Sequence, residues 1–452
     1  MTKITFMGAG STIFAKNILG DCMHREALKD AEIVLYDIDG QRLKESELLI
    51  KTLNANINDN RATVKGYLGV ENRKEALKNS DFVVNAVNVG GYKPATVIDF
   101  EVPKKYGLRQ TIADTLGIGG IFRALRTAPV MLDFARDIEE VAPNAWFLNY
   151  TNPMGILTGA MLYGSNVKTV GLCHSVQCVH TNLYSNFIKD KKELEEFCKD
   201  IRYKVAGINH MSWLLEITKN GKDLYPEIKQ KVAEMMPIWR AEKDKANKST
   251  DMVRLEMMMK LGYYITESSE HNAEYSPYWI KSAYPELINE YNIPLDEYIT
   301  RCINQINDWK DQYEKLSSDP HLSHKLSNEF GSGIINAIVT NEPYQIAGNV
   351  INNGLITNLP NDAIVEVPCL VDTNGIQGCY VGALPPQCAA MNMTNINVQK
   401  LAIEAILTRK REHIYHAAML DPHTAAELSL DDIVSLCDDL IEAHGDMLPK
   451  YI

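Results

Sequence analysis

Paired cysteines, a basic stripe, a long apolar run and a low-complexity tract are all missing from this chain. Its nine cysteines show no paired spacing, which points to a reducing compartment where most of them serve as small buried hydrophobes. Lys and Arg total 46 against 58 Asp and Glu, a formal charge of −12. That balance leaves no cationic stripe to neutralise phosphates, so a nucleic-acid partner is not expected. It suits a protein kept in solution by self-repulsion. No stretch approaches the ~18 uninterrupted apolar residues of a membrane span. Met1 to Gly8 run straight into a strand and leave no room for the apolar segment of a signal peptide, so the expected location is cytoplasmic.

What is present is the balance of a globular enzyme, with 45% apolar and 23% charged residues over 452 positions. A chain of this length exceeds one ordinary core and predicts two closely packed lobes. Ile4–Met7, Ile33–Tyr36, Phe82–Val87, Trp146–Tyr150 and Val167–Leu172 read as short buried strands, alternating with helical stretches such as 121–142. Apolar runs that alternate with helices are the mark of parallel βαβ units. Beyond about residue 180 the texture changes to long charged helices over 187–200 and 225–260 and a β-rich region over 334–372. Terminal helices over 395–447 follow, one of them capped by Thr424–Glu427. The expectation is an α/β protein with residues 1–190 forming a Rossmann-like, doubly wound parallel sheet and residues 191–452 an α+β substrate- and metal-binding lobe, arranged as in lactate and malate dehydrogenases.

Gly8-Ala9-Gly10 follows the first strand and opens a helix, the turn that lets a pyrophosphate approach backbone and free N–H groups. Ile13 stands where the usual third glycine would be, and a turn required only by sterics is the alternative reading of a bare G-x-G. Asp37 ends the second strand, where a carboxylate accepts hydrogen bonds from the adenosine ribose and repels a 2′-phosphate. NAD is therefore expected over NADP. The expected cofactor-binding set is Gly8, Gly10, Ser11, Thr12, Asp37 and Asn85.

Cys173-His174 sits at the carboxyl end of a strand, where open α/β sheets keep their ligands, and Asn209-His210 lies in a second short segment. Thiolate and imidazole hold borderline-soft divalent metals. Cys173 and His210 are accordingly candidate metal ligands, against the alternatives of a buried thiol and a hydrogen-bonded core imidazole. His174 points elsewhere than its neighbour and is a candidate proton donor or a partner of the metal ligands. Asp114, ahead of the glycine-rich Gly117–Gly120, is a candidate to bind substrate or tune a base, or else a helix cap. Asn152, in the turn Thr151-Asn152-Pro153, offers an amide to a sugar hydroxyl. Glu267-Ser268-Ser269-Glu270-His271 either supplies a base and sugar-binding groups or is a solvated loop.

Together these segments resemble glycoside hydrolase family 4, and within it the members acting on unphosphorylated α-galactosides. The resemblance runs end to end, through Ile4–Thr12, Thr111–Gly117, Asn149–Pro153, Gly171–Val176, Gly207–Met211, Thr266–His271 and Asp421–Ala426. It implies an NAD- and Mn²⁺-dependent hydrolysis of α-galactosides such as melibiose, an exception to the two-carboxylate scheme. In the family, the sugar is oxidised at C3, the acidified C2 proton is removed, and the metal stabilises the enediolate. The glycosidic oxygen is then eliminated, water adds at C1 and the hydride returns. The resemblance assigns the metal to Cys173 and His210, substrate contact to Asn152, proton donation to His174, and a place near the base or substrate to Asp114. It leaves the base open among Tyr263, Tyr264 and a metal-bound hydroxide, since Ser268-Ser269 occupies the matching place. It further implies a small-molecule α-glycoside as the partner and a homodimer or homotetramer. An α-glucosidase, α-glucuronidase or α-galacturonidase of the same family, or a plain NAD-dependent dehydrogenase, are the competing expectations.

Overall fold

The computed structural model describes residues 1–452 and is organised on a single 13-stranded sheet. Six strands form its first part: β1 (Lys3–Met7), β2 (Glu32–Asp37), β3 (Thr63–Leu68), β4 (Phe82–Asn85), β5 (Trp146–Asn149) and β6 (Lys168–Leu172). They run parallel in the spatial order β3-β2-β1-β4-β5-β6, the doubly wound arrangement of dinucleotide-binding proteins. Their side chains alternate between two cores. Ile4, Phe6, Ile33, Leu35, Phe82, Val84 and Leu148 enter one, and Val34, Tyr36, Val83 and Phe147 the other. Strands buried on both faces read as unbroken apolar runs, which is why β1, β2, β4, β5 and β6 were legible in the sequence; β3, largely exposed at the sheet edge, was not among the expected strands.

In the second part, the helices expected over 187–200 and 225–260 are present but shorter, and the stretch between them is β-structure. Two antiparallel strands, β7 (Ile201–Ile208) and β8 (Met211–Lys219), occupy its middle, with β9 (Lys222–Asp223) and β10 (Tyr264–Ile265) paired to β8. Helices are confined to Lys191–Cys198, Tyr225–Ala241 and Met252–Leu261. The expected β-rich region over 334–372 begins instead with the helix Phe330–Thr340. It continues with β11 (Tyr344–Ile351) and β12 (Ile364–Asp372), and then β13 (Gly375–Gly378). Every residue from Phe330 to Ala337 of that helix is buried; a short apolar run does not distinguish a buried helix from a strand. β11 pairs antiparallel with β6, and β12 with β11 and β7, so the sheet passes without a break from one part to the other.

The terminal helices Pro386–Thr408, Arg411–Leu420 and Leu430–His444 fold back over the parallel strands, placing Val398, Ala402, Ile414 and Leu436 in the core that also holds Val34 and Phe147. The cap of Pro422–Glu427 is Asp421, not Thr424: the Asp421 carboxylate accepts the Thr424 N–H at 2.8 Å and its hydroxyl at 2.6 Å. No helix is long and apolar enough to cross a membrane.

A buried ion pair ties the end of the last long helix to the helices Val97–Lys105 and Gly117–Val141. Arg126 donates to both oxygens of Asp99, at 3.0 and 2.6 Å, and to the Val89 carbonyl, while His444 Nε2 lies 3.0 Å from Asp99 Oδ1. Both members of the pair have side chains at most 2% exposed. Removing one partner of such a pair strands a charge in low dielectric. Asp99→Ala is expected to cost about 3–5 kcal/mol in denaturant unfolding, whereas Asp133→Ala, which removes the partner of exposed Arg136, should cost about 1 kcal/mol or less. Equal losses would contradict this account.

Candidate functional site

His210 reaches the site because of a tight turn. β7 and β8 are joined through Asn209-His210 alone, and His210 adopts φ +62°, in the left-handed region. The two strands are in register up to Ile208 and Met211. The loop texture read from Gly207 to Met211 is thus the bend of a hairpin. Beneath it lies Glu366 of β12, 1% exposed, which accepts hydrogen bonds from Asn209 Nδ2 at 3.2 Å, Ser212 Oγ at 2.7 Å and Asn349 Nδ2 at 3.3 Å. Burial pushes the Glu366 carboxyl above its ordinary value. Nothing in the sequence marks this residue, which sits in an ordinary apolar strand.

The His210 ring is oriented from behind and faces a thiol and a carboxylate in front. Its Nδ1 lies 3.3 Å from the Tyr275 hydroxyl. Its Nε2 lies 3.4 Å from Cys173 Sγ and 3.5 Å from Glu267 Oε2. The candidate ligand atoms of Cys173, His210 and Glu267 all fall within 4.8 Å of one another, close enough to share one cation. Cys173 reaches this point because β6 ends at Leu172 and the chain turns back, with the Ser175 N–H directed at the sulfur from 3.5 Å. Burial and the Glu267 and Glu366 carboxylates push the thiol well above its ordinary pKa. A bound divalent cation would reverse that preference, because a coordinating thiol loses its proton.

Glu267 is the ligand-type residue that sequence reasoning left between site and surface. The structure places it inside, at φ +73°. Burial opposes its charge, but His210, His271, His174 and Arg254 outweigh that and hold the carboxyl down at about 2. Two more residues adjoin it. His271 has Nδ1 2.6 Å from Ser268 Oγ and Nε2 3.7 Å from Asp114 Oδ1. Burial lowers its pKa against the pull of Glu267 and Asp114. Asp114 is buried, accepts the Thr115 hydroxyl at 2.7 Å, and faces Asn152 Nδ2 at 3.5 Å. Burial would raise its pKa, yet the positive fields of His271, Arg123 and His210 hold it below the usual value. Asp114 caps no helix; the helix Gly117–Val141 starts after it and has no side-chain cap. Asn152 Oδ1 is buried without a partner beside this group, which leaves an acceptor for a ligand hydroxyl.

The remaining sequence-predicted residues divide between site and scaffold. His174 turns away from Cys173 as expected. Its exposed ring sits 3.5 Å from Glu329 Oε1, and the hydrogen bond to Glu329 with that residue's charge raises its pKa. The two tyrosines considered as bases lie elsewhere: Tyr264 gives its hydroxyl to Asp251, and Tyr263 lines a surface recess with Leu215 and Tyr225. Ser269 is likewise spent on Asp251, at 3.1 Å.

At the nucleotide end, Gly8 has φ +81°, and a Cβ there would stand 2.8 Å from the Ala86 carbonyl oxygen. A Cβ on Gly10 would stand 2.9 Å from Asp37 Oδ2, which instead accepts the Gly10 N–H at 2.6 Å. Both glycines are therefore needed for the protein's own contacts. Ile13 is 40% exposed, so no third glycine is required at that position. The helix Thr12–Met23 has no side-chain cap and Ser11 is exposed before it, leaving its first backbone N–H groups available for an anion. Thr12 and Asn85 brace the scaffold with their side chains: Thr12 Oγ1 pairs with Ser46 Oγ at 2.8 Å, and Asn85 Nδ2 donates to Asn149 Oδ1 at 3.0 Å. Asn85 Oδ1 is left buried without a partner.

The loop that carries Asp114 is gripped from below. Glu274 accepts the N–H groups of Thr111, Ile112 and Ala113 at 2.9, 3.2 and 2.9 Å. His423 Nε2 lies 2.8 Å from the Arg109 carbonyl oxygen, which accounts for the Asp421–Ala426 segment in structural terms. Burial pushes Glu274 up to about 8 against those backbone donors. The folded chain then keeps a proton that the unfolded chain has released, so stability falls as pH rises from the ordinary carboxyl range towards about 8. Glu274→Gln, which cannot titrate, is expected to flatten that decline in denaturant unfolding curves taken across the window. A decline as steep as that of the parent protein would contradict the assignment.

Comparisons with known proteins bear on the whole chain. Residues 3–187 match the model of the family 4 glycosyl hydrolases, and residues 205–424 match that family's C-terminal domain. The chain is 57% identical over 451 residues to an α-galactosidase of Bacillus subtilis, covering 100% of each. It is 32% identical to an α-galactosidase of Rhizobium meliloti, over 99% of this chain and 89% of the relative. A 6-phospho-α-glucosidase from gut microorganisms, solved in complex with NAD and Mn²⁺, superposes with a TM-score of 0.79 at 21% identity, covering 100% of both chains. The last likeness concerns the fold. The chain belongs to family 4 of the glycosyl hydrolases.

Proposed function

We propose that this protein hydrolyses α-galactosides of the melibiose type, with NAD⁺ and a divalent cation such as Mn²⁺ as resident cofactors. One observation carries the reading: end-to-end 57% identity to an α-galactosidase. The site is consistent with it. Cys173, His210 and Glu267 would hold the cation, two anionic donors and one neutral imidazole, a set compatible with Mn²⁺ through its carboxylate and imidazole. Asp37 would receive the adenosine ribose, with Gly8, Gly10, Ser11, Thr12 and Asn85 framing the phosphates. When bound, NAD⁺ supplies a reversible hydride acceptor and the cation a Lewis acid for sugar oxygens.

The chain's own groups do the rest. Asn152 offers its unpartnered Oδ1 to a sugar hydroxyl. Asp114 and His271 form the pair that takes up a proton from the sugar ring, close to the cation ligands. His174, kept protonated to higher pH by Glu329, donates to the departing glycosidic oxygen. Residues 1–190 thus serve the nucleotide and residues 191–452 the sugar and metal, with Cys173, His174, Asp114 and Asn152 supplied from the nucleotide side. We assign the protein to the cytoplasm and to a homodimeric or homotetrameric state, on its composition and family.

Stripping NAD and chelating the metal should abolish cleavage of aryl α-galactosides, and restoring both should recover it; full activity in the stripped protein overturns the reading. His174→Asn should slow alkyl α-galactosides far more than activated aryl ones, because only the former need a proton at the leaving oxygen. Equal losses on the two substrate classes would remove His174 from the donor role.

A further inference from the structure

The loop Ala86–Gly91 leaves β4 where the order of the parallel strands reverses. β1 and β4 are neighbours there, with the sheet running out to β3 on one side and towards β6 on the other. A crevice at such a switch point is where doubly wound sheets bind their ligands. The Gly8 turn forms one side of it, and the loop is pressed against that turn. A Cβ on Gly8 would stand 2.8 Å from the Ala86 carbonyl oxygen and 2.9 Å from Val87 Cα. The position of this loop therefore shapes the opening available to a dinucleotide.

The far end of the loop is held by the last residues of the chain through two separate contacts. In the first, Arg126 directs Nη1 and Nη2 at Asp99 and Nε at the Val89 carbonyl, at 3.1 Å. Asp99 thus fixes the plane of the guanidinium that grips the loop. His444 Nε2, 3.0 Å from Asp99 Oδ1, pins that carboxylate in turn, with its ring stacked on Phe122 at 5.8 Å. The His444 Nδ1 is buried without a partner, a cost that an aliphatic side chain in the same space would avoid. The hydrogen bond to Asp99 is what the imidazole adds. The second contact is direct: Gly90, at φ +81°, has no Cβ, and Met447 Sδ lies 3.2 Å from where one would stand.

We propose that the C-terminal segment, through His444 and Met447, sets the protein's affinity for NAD⁺ by bracing the loop Ala86–Gly91. The inference rests on NAD⁺ as the resident nucleotide. Both are positioning residues, acting through Arg126 and Gly90 on backbone that borders the nucleotide crevice. The nucleotide side of the protein then draws on the end of the chain as well as on residues 1–190.

Calorimetric titration of the nucleotide-free protein with NAD⁺ tests this, with Mn²⁺ binding at saturating NAD⁺ as a second reading. His444→Leu removes the donor and keeps the bulk; it should weaken NAD⁺ binding roughly tenfold, the effect of about 1.4 kcal/mol. His444→Gln, which offers Asp99 an amide N–H, should restore most of that affinity. Met447→Ala, at a half-buried position, should also weaken NAD⁺ binding, and it keeps the test open if His444→Leu does not fold. Neither variant should alter Mn²⁺ binding once NAD⁺ is saturating. Tyr106→Phe is the control: it removes a 2.9 Å hydrogen bond to Asp439 that joins the same last helix to the far end of the helix Val97–Lys105. Its NAD⁺ affinity should match that of the parent. Unchanged affinity in His444→Leu and Met447→Ala overturns the proposal, and so does an equal loss in Tyr106→Phe, which would mark a general loosening of the last helix. Either result leaves the NAD⁺ reading standing. A parent protein that binds no NAD⁺ overturns that reading and the proposal with it.

Discussion

The His210 imidazole is fixed at three points, and the site is built around that fixation. Its backbone is forced into the left-handed region by a two-residue hairpin bend, its Nδ1 meets the Tyr275 hydroxyl, and its Nε2 is left facing Cys173 and Glu267. Each constraint comes from a different part of the chain: the bend from β7 and β8, the hydroxyl from the helix Ser269–Glu274 and its end, the thiol from the end of β6. A ring held in this way keeps its Nε2 directed at the Cys173 thiol and the Glu267 carboxylate. The left-handed backbone at His210 is the local strain that holds this geometry in place.

Electrostatics gives the arrangement its direction. Glu267, partly buried, and Asp114, buried, are carboxylates held below their ordinary pKa values by His210 and His271, with Arg254 adding to the first and Arg123 to the second. Cys173 and Glu366 are pushed the other way by burial. Charged and neutral acids thus lie side by side within one buried cluster, the kind of separation that marks functional sites. Glu366 and Glu274 stay outside the chemistry and act through backbone and amide donors, one under the His210 hairpin and the other under the Asp114 loop.

Most of the parallel half was legible in the sequence because its inner strands are buried on both faces, so the apolar runs at Ile33–Tyr36 and Phe82–Val84 announce themselves; the exposed edge strand Thr63–Leu68 carries no such run and was missed. Cys173, His210, Asp114 and Asn152, singled out on motif and position, do converge. The hairpin Ile201–Lys219 was hidden by its flanking charged helices, and its outward residues Arg202, Tyr203 and Lys204 broke the alternation that would have revealed it. Glu267 could not be separated from a surface loop, since its burial depends on Arg254 and His210 from distant segments. Tyr275 and Glu366 carry no local signal, because their roles arise only when β12 and the Ser269–Glu274 helix close around the hairpin.

Binding of Mn²⁺ to the NAD-loaded protein, followed by electron paramagnetic resonance and calorimetry, tests the central claim most directly. The parent chain should bind a single ion tightly, and Cys173→Ser, His210→Ala and Glu267→Gln should each weaken that binding markedly while leaving NAD bound. Variants that titrate like the parent would show that the convergence of thiol, imidazole and carboxylate is not the metal centre, and the account built on it would fall.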